Sequence, residues 1–125
     1  MILDTNALSA FIDGDVAVGE VLRHQPRACI PVIVLGEFQY GIALSKHRAT
    51  YERWLATQLP HFDVLLVTEA TAVAYAAIRV DLKKNGTPIP ANDVWIAALA
   101  MQQGIPVLSR DRHFDAVGRI RRQGW

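Results

Sequence analysis

Four acidic residues, Asp4, Glu37, Asp93 and Asp111, stand where a carboxylate could do chemistry. Asp4 and Asp111 each come just after a short apolar run, Met1-Ile2-Leu3 and Ile105 to Leu108, of the kind that forms a buried strand. Asp93 opens an apolar segment at helical spacing, after the proline-containing stretch Thr87 to Ala91. Glu37 lies within a helical stripe of Val34, Phe38, Gly41 and Ile42, where burying a carboxylate is costly unless something compensates it. Gly41, one turn later on the same face, leaves room for an object in front of it. Two carboxylates ~4 Å apart repel by about 4 kcal/mol at an effective dielectric constant of about 20. Several such pairs would consume much of the roughly 5–15 kcal/mol that stabilises a domain. A cluster of these four must protonate, spread apart or hold cations. Oxygen donors favour Mg2+ or Mn2+, and no His/Cys set has zinc-like spacing. His24, His47, His61 and His113 are scattered and read as surface residues. Mg2+ held by carboxylates is common equipment for attack on a phosphodiester.

Each acid also has a simpler reading. Asp4 and Asp111 could merely terminate strands. Asp93, taken alone, reads best as a negative charge at the positive end of a helix dipole. Glu37 is the exception, because its apolar stripe gives it no simple structural reason to be there.

The elements that must position these acids alternate between strands and helices. Met1 to Leu3 reads as a buried strand, and Asn6 or Ser9 as the cap of a short helix. A helix from Asp15 to His24 is ended by Pro26, and Ala28 to Ile30 is a second strand. Pro31 opens a helix over Val32 to Leu44, and Thr50 to Leu59 forms another that Pro60 stops. Val64 to Val67 is a strand, and Thr68 caps a long alanine-rich helix that Asn85-Gly86 ends. Asn92 caps a helix from Asp93 to Gln103, and a last strand across Arg119 to Gln123 is weakly signalled. This alternation predicts an α/β sandwich on a mostly parallel sheet, whose ligands bind at the carboxyl ends of the strands. Asp4 and Asp111 fall at that edge.

At 125 residues with 51% hydrophobic content, the chain has the size and composition of one globular domain, residues 1–125. There is no repeat or low-complexity linker, and no apolar run of the ~20 residues that would cross a bilayer. The opening segment lacks the features of a signal peptide, and the single Cys29 suits a reducing compartment, so a cytoplasmic protein is expected. Net charge is +1, but Arg110, Arg112, Arg119, Arg121 and Arg122 crowd the C-terminal stretch. Such a local cationic field suits a phosphate polymer, and a solvated basic tail equally.

Ile2-Leu3-Asp4-Thr5-Asn6, Val34-Leu35-Gly36-Glu37, Asn92-Asp93-Val94-Trp95-Ile96-Ala97-Ala98 and Ser109-Arg110-Asp111-Arg112-His113-Phe114, in this order and spacing, resemble the PIN domain. Within it they are similar to the toxin subunits of VapBC-type toxin–antitoxin modules, and the likeness spans the whole chain. The resemblance implies a PIN-like α/β/α sandwich and a Mg2+- or Mn2+-dependent endoribonuclease. Asp4, Glu37, Asp93 and Asp111 would be its catalytic and metal-binding acids, with Asp115 auxiliary. Asn6 and Ser109 would support them, Ser109 keeping a hydroxyl where the family more often has threonine. A metal-activated water would attack an RNA phosphodiester, transfer RNA being the leading substrate. A cognate VapB-like antitoxin, a homodimer and a hetero-oligomer on operator DNA are further implications. Independently of the resemblance, the arginine-rich C-terminal stretch is expected to contact RNA phosphates through Arg110 and Arg112.

Rival readings are an RNA-processing or DNA nuclease of the same type without an antitoxin, and a catalytically silent nucleic-acid-binding module. A receiver domain would need a phosphoacceptor on a middle strand and a lysine after the last. Asp63 precedes its strand and no lysine follows Leu108. A haloacid-dehalogenase-like phosphatase would need an aspartate at position 6, where Asn6 stands.

Overall fold

The computed structural model describes residues 1–125. Five short parallel strands form one sheet in the order β3-β2-β1-β4-β5, flanked by helices. They are β1 (Ile2–Leu3), β2 (Cys29–Pro31), β3 (Asp63–Leu65), β4 (Val107–Leu108) and β5 (Arg122–Gln123). In the central β1, Ile2 pairs with Cys29 on one side and Val107 on the other, and Leu3 pairs with Leu108. Ile2, Leu3, Val107 and Leu108 are all fully buried, as strands covered on both faces require.

Two devices fix the crevice above β1 and β4. Chain order runs leftward from β1 to β2 and β3, then crosses to β4 and β5 on the far side of β1. The connection reverses there, leaving an opening outside the carboxyl ends of β1 and β4. The second device is packing. Helix α6 (Ala91–Gln103) buries Val94, Ile96, Ala97, Ala98, Leu99 and Ala100, its alanines allowing close approach. Helix α3 (Val32–Ala43) buries Val34, Phe38 and Ile42, one residue per turn. It packs against both α6 and α1 (Thr5–Ile12). The remaining helices are α2 (Val16–Arg23), α4 (Arg48–Gln58) and α5 (Glu69–Asn85), which lies along α6. Gly14, at φ +85°, turns the chain between α1 and α2 in a conformation other residues resist.

The structure revises three expectations about local signals. Asp4, not Asn6 or Ser9, caps α1: its backbone is extended and its side chain accepts from the Thr5 N–H. Pro90 holds the cap position of α6, so Asn92 is the second residue of that helix and its side chain is free for other work. Strand β3 begins at Asp63, so this residue belongs to the strand and does not precede it. It pairs with Cys29 in register and its side chain pairs with Arg27. No helix is long and apolar enough to cross a membrane.

Candidate active site

Asp4 leaves the end of β1 and is 5% exposed. Three donors hold its carboxylate: the Thr5 N–H at 2.8 Å on Oδ1, and Asn6 Nδ2 at 2.8 Å and Ser109 Oγ at 2.7 Å on Oδ2. Ser109, fully buried just past β4, also accepts the Asp111 N–H at 2.9 Å. Asn6 closes the loop, donating to Ser109 Oγ at 3.1 Å and accepting the Arg110 N–H at 3.1 Å. The ends of β1 and β4 are thus tied by side chains as well as by the strand ladder. A carboxylate has roughly four acceptor positions, so Asp4 keeps about one free.

Burial raises the Asp4 pKa above its ordinary value; the Ser109 and Thr5 hydrogen bonds oppose this, and the nearby charges of Glu37 and Asp111 add to it. Asp93, in the first turn of α6, is also raised, chiefly by burial. There the His113 hydrogen bond opposes, while Asp4 and Asp111 add. All four acids therefore share one field. Glu37 reaches it from mid-α3, receiving the Thr5 hydroxyl on Oε2 and Asn92 Nδ2 on Oε1 at 2.7 Å. A groove of about 300 Å³ runs beside it, lined by Thr5, Ser9, Phe38, Gly41 and Tyr51 among others. Gly41 lines this groove beside Glu37, and a Cβ built on it would meet nothing within 4 Å, so the space in front of Glu37 is open at that position.

His113 is exposed, as expected, but it is not isolated: its Nδ1 lies 3.1 Å from both Asp93 Oδ2 and Asp111 Oδ1. Asp111 Oδ1 accepts the His113 N–H at 2.9 Å, and this turn folds the ring back over the acids. Thr5 and Asn92 are the other residues the sequence reading passed over. Both lie inside motifs containing a site acid, but their bonds to Glu37 span 32 and 55 residues, beyond any local pattern.

The remaining predicted residues lie at the periphery. Asp115 is paired with Arg122 at both oxygens, 2.7 and 3.0 Å, outside the cluster. Arg122 also donates to the Ser109 carbonyl at 3.0 Å, so this pair braces β5 against the end of β4. Arg110 stacks over Trp125 at 4.5 Å and reaches Asp15 at 3.4 Å, whereas Arg112 is exposed beside Asp111 with no carboxylate partner.

An arginine partners each of Glu20, Glu52, Asp15, Asp63, Asp81 and Asp115. Neither arginine nor lysine partners Asp4, Glu37, Asp93 or Asp111. Asp93, Asp111 and His113 place donor atoms within 4.8 Å of one another. Converging, partly desolvated anions without an arginine or lysine partner fit a hard divalent cation.

The sequence model of the PIN domain matches residues 1–120. Ribonuclease VapC4 of Mycobacterium tuberculosis is 31% identical over 121 residues, covering 90% of this chain and 93% of that protein. The tRNA(fMet)-specific endonuclease VapC of Shigella flexneri is 28% identical, covering 82% and 78%. Among solved structures, DNA-bound VapBC from Salmonella typhimurium superimposes with a TM-score of 0.87 at 27% identity, covering 99% of this chain and 96% of the other.

Proposed function

The chain belongs to the PIN-domain family, and from that premise we propose a metal-dependent endoribonuclease, the toxin of a toxin–antitoxin pair, with Asp4, Glu37, Asp93 and Asp111 as its catalytic carboxylates. One observation carries this assignment: these four acids converge without arginine or lysine, while six of the other eight acids each have an arginine. Mg2+ or Mn2+ is the cation. When bound, it stabilises charge on the scissile phosphate and lowers the pKa of the attacking water.

The chain's own contribution is pre-organisation. Three donors fix the Asp4 carboxylate in one orientation, and Thr5 with Asn92 fixes Glu37 at both oxygens. Neither acid needs to reorganise when the reaction begins. Arg112, and Arg110 in part, lie on either side of Asp111 and position RNA phosphates, which supplies affinity rather than base specificity. The named specificity of the Shigella relative supports transfer RNA as the substrate class.

The DNA-bound complex from Salmonella supports a VapB-like antitoxin partner and an assembly on operator DNA. A basic side chain of that partner, placed among the carboxylates, would supply the positive charge that the cluster lacks. We place the protein in the cytoplasm with its RNA, as a homodimer.

Purified protein freed of antitoxin, incubated with transfer RNA and Mg2+ or Mn2+, should cut it, and EDTA should abolish cutting. Cleavage at full rate in EDTA would overturn the metal mechanism. Sequencing RNA ends after controlled expression identifies the substrate, and cuts confined to messenger or ribosomal RNA would replace transfer RNA. A protein harmless when expressed alone, with no co-purifying partner, would instead be a processing nuclease.

A further inference from the structure

His113 brings a nitrogen donor into a site otherwise built from oxygen. Its Nδ1 stands 3.1 Å from Asp93 Oδ2 and 3.1 Å from Asp111 Oδ1. Neighbouring ligands of an octahedral ion with bonds of about 2.1 Å are about 3.0 Å apart. Both separations match that spacing. A hydrogen bond has a similar length, so spacing alone does not separate a ligand from a counter-ion.

The ring's placement is built into the fold. Asp111 receives the His113 backbone N–H, and the adjacent Phe114 is 1% exposed in the core. The turn at Arg112–Ala116 is anchored from below, and the imidazole is carried to the acids with it. No lysine or arginine contacts Asp93 or Asp111, so no other side chain competes for the position.

Resting on the metal-dependent reading above, we propose that His113 is a ligand, through Nδ1, of the divalent cation held by Asp93 and Asp111, and that it biases the site toward Mn2+ over Mg2+. Coordination uses the Nδ1 lone pair and leaves the ring's N–H on Nε2. Mg2+ binds oxygen donors almost exclusively, whereas imidazole suits first-row transition ions. The all-oxygen donor set expected from sequence is thereby replaced by a mixed one.

The test uses the full-length protein, stripped of metal and titrated with Mn2+ alone. Pulsed electron paramagnetic resonance of the bound ion should show nitrogen coupling of the imidazole type. Labelling histidine alone with 15N should convert that signal. Mn2+ affinity, and Mg2+ affinity by competition, are then compared with those of His113→Asn, which offers oxygen in place of nitrogen. The coupling should vanish, and the preference for Mn2+ over Mg2+ should fall by about tenfold. Mn2+ bound to the parent without histidine coupling would overturn the proposal, leaving His113 as a counter-ion, as would equal loss of both affinities in the variant. Failure of the parent to bind Mn2+ at all would overturn the metal reading itself, and this proposal with it. The parent spectrum decides even if the variant does not fold.

Discussion

Asp4 and Asp93 above the sheet, and Asp15 and Asp115 around its margin, are carboxyls of one type under opposite treatment. Burial raises the pKa of the first pair above the ordinary value. Asp15 is lowered, chiefly by the Val18 N–H, and Asp115 is lowered, chiefly by Arg122. Pairing changes within a short stretch of chain: Asp111 in the cluster and Asp115 in its arginine fork stand four positions apart. Asp15 and Asp115 are paired with arginines, whereas the clustered acids accept hydrogen bonds but have no arginine or lysine to offset their charge and keep a net negative field. That field destabilises the cation-free protein and favours cation binding.

The largest expected effect breaks the comparison directly. If Asp93 helps to hold the cation, as proposed, Asp93→Asn should lower RNA cleavage by about a hundredfold or more. Asp115→Asn should leave cleavage within a few-fold of the parent and cost a little thermal stability. Equal losses would place both acids in the site.

A smaller effect concerns the residues that orient Glu37. Asn92→Leu and Thr5→Val each remove one donor to its carboxylate. Each should reduce kcat by roughly 10–100-fold with the fold intact by circular dichroism, in the range for groups that orient a metal-binding ligand. Unchanged kcat would leave Glu37 positioned by packing alone.

Arg112→Ala should weaken RNA binding and flatten its salt dependence by about 0.7–0.9 in the slope of log affinity against log salt, one phosphate contact. Arg119→Ala, which loses a partner already used by Asp81, should not change the slope. An unchanged slope for both would assign Arg112 to the antitoxin or to solubility.

The pH dependence of stability should show both treatments. A carboxyl with a raised folded pKa binds its proton more readily when native, so protonation favours folding. In EDTA, Asp4 and Asp93 should therefore add stability as pH falls from neutral through their raised values to the ordinary value of 3.8. Asp15 and Asp115 act in the opposite sense: their contribution is full above 3.8 and is lost as pH falls through their lowered values. Thermal melts across this range should rise and then fall. Asp4→Asn should blunt the rise, and a monotonic decline in the parent would contradict the charge assignment.

The elements that carry the acids were legible where a hydrophobic period marked them, as in β1, β4 and the stripe of α3. Strand β5 had no such mark. It is two polar residues, Arg122 and Gln123, held by backbone bonds such as Ser109 N–H to the Gln123 carbonyl at 2.9 Å. The preference of asparagine for helix caps misplaced Asn92, because Pro90 fills that position and tertiary contact with Glu37 gives Asn92 different work. Asp115 followed the family pattern in sequence, but a partner seven residues on, Arg122, decided where its charge went. His113 was unreadable for the same reason: its neighbour Asp93 is 20 residues away. Types and spacing singled out four acids that the fold brings together; what each is bonded to required the fold.

The claim that the cluster is a frustrated anion site completed by a cation is tested most directly by melting the parent and Asp93→Asn proteins in EDTA and in Mn2+. Removing one of several repelling charges should leave the cation-free variant as stable as the parent or more so, by on the order of 1 kcal/mol. Asparagine still tolerates the first turn of α6. The parent should gain clearly more stability from Mn2+ than the variant does. A variant that is destabilised in EDTA yet gains as much from Mn2+ as the parent would contradict the account, and would return Asp93 to the single role of complementing the α6 dipole.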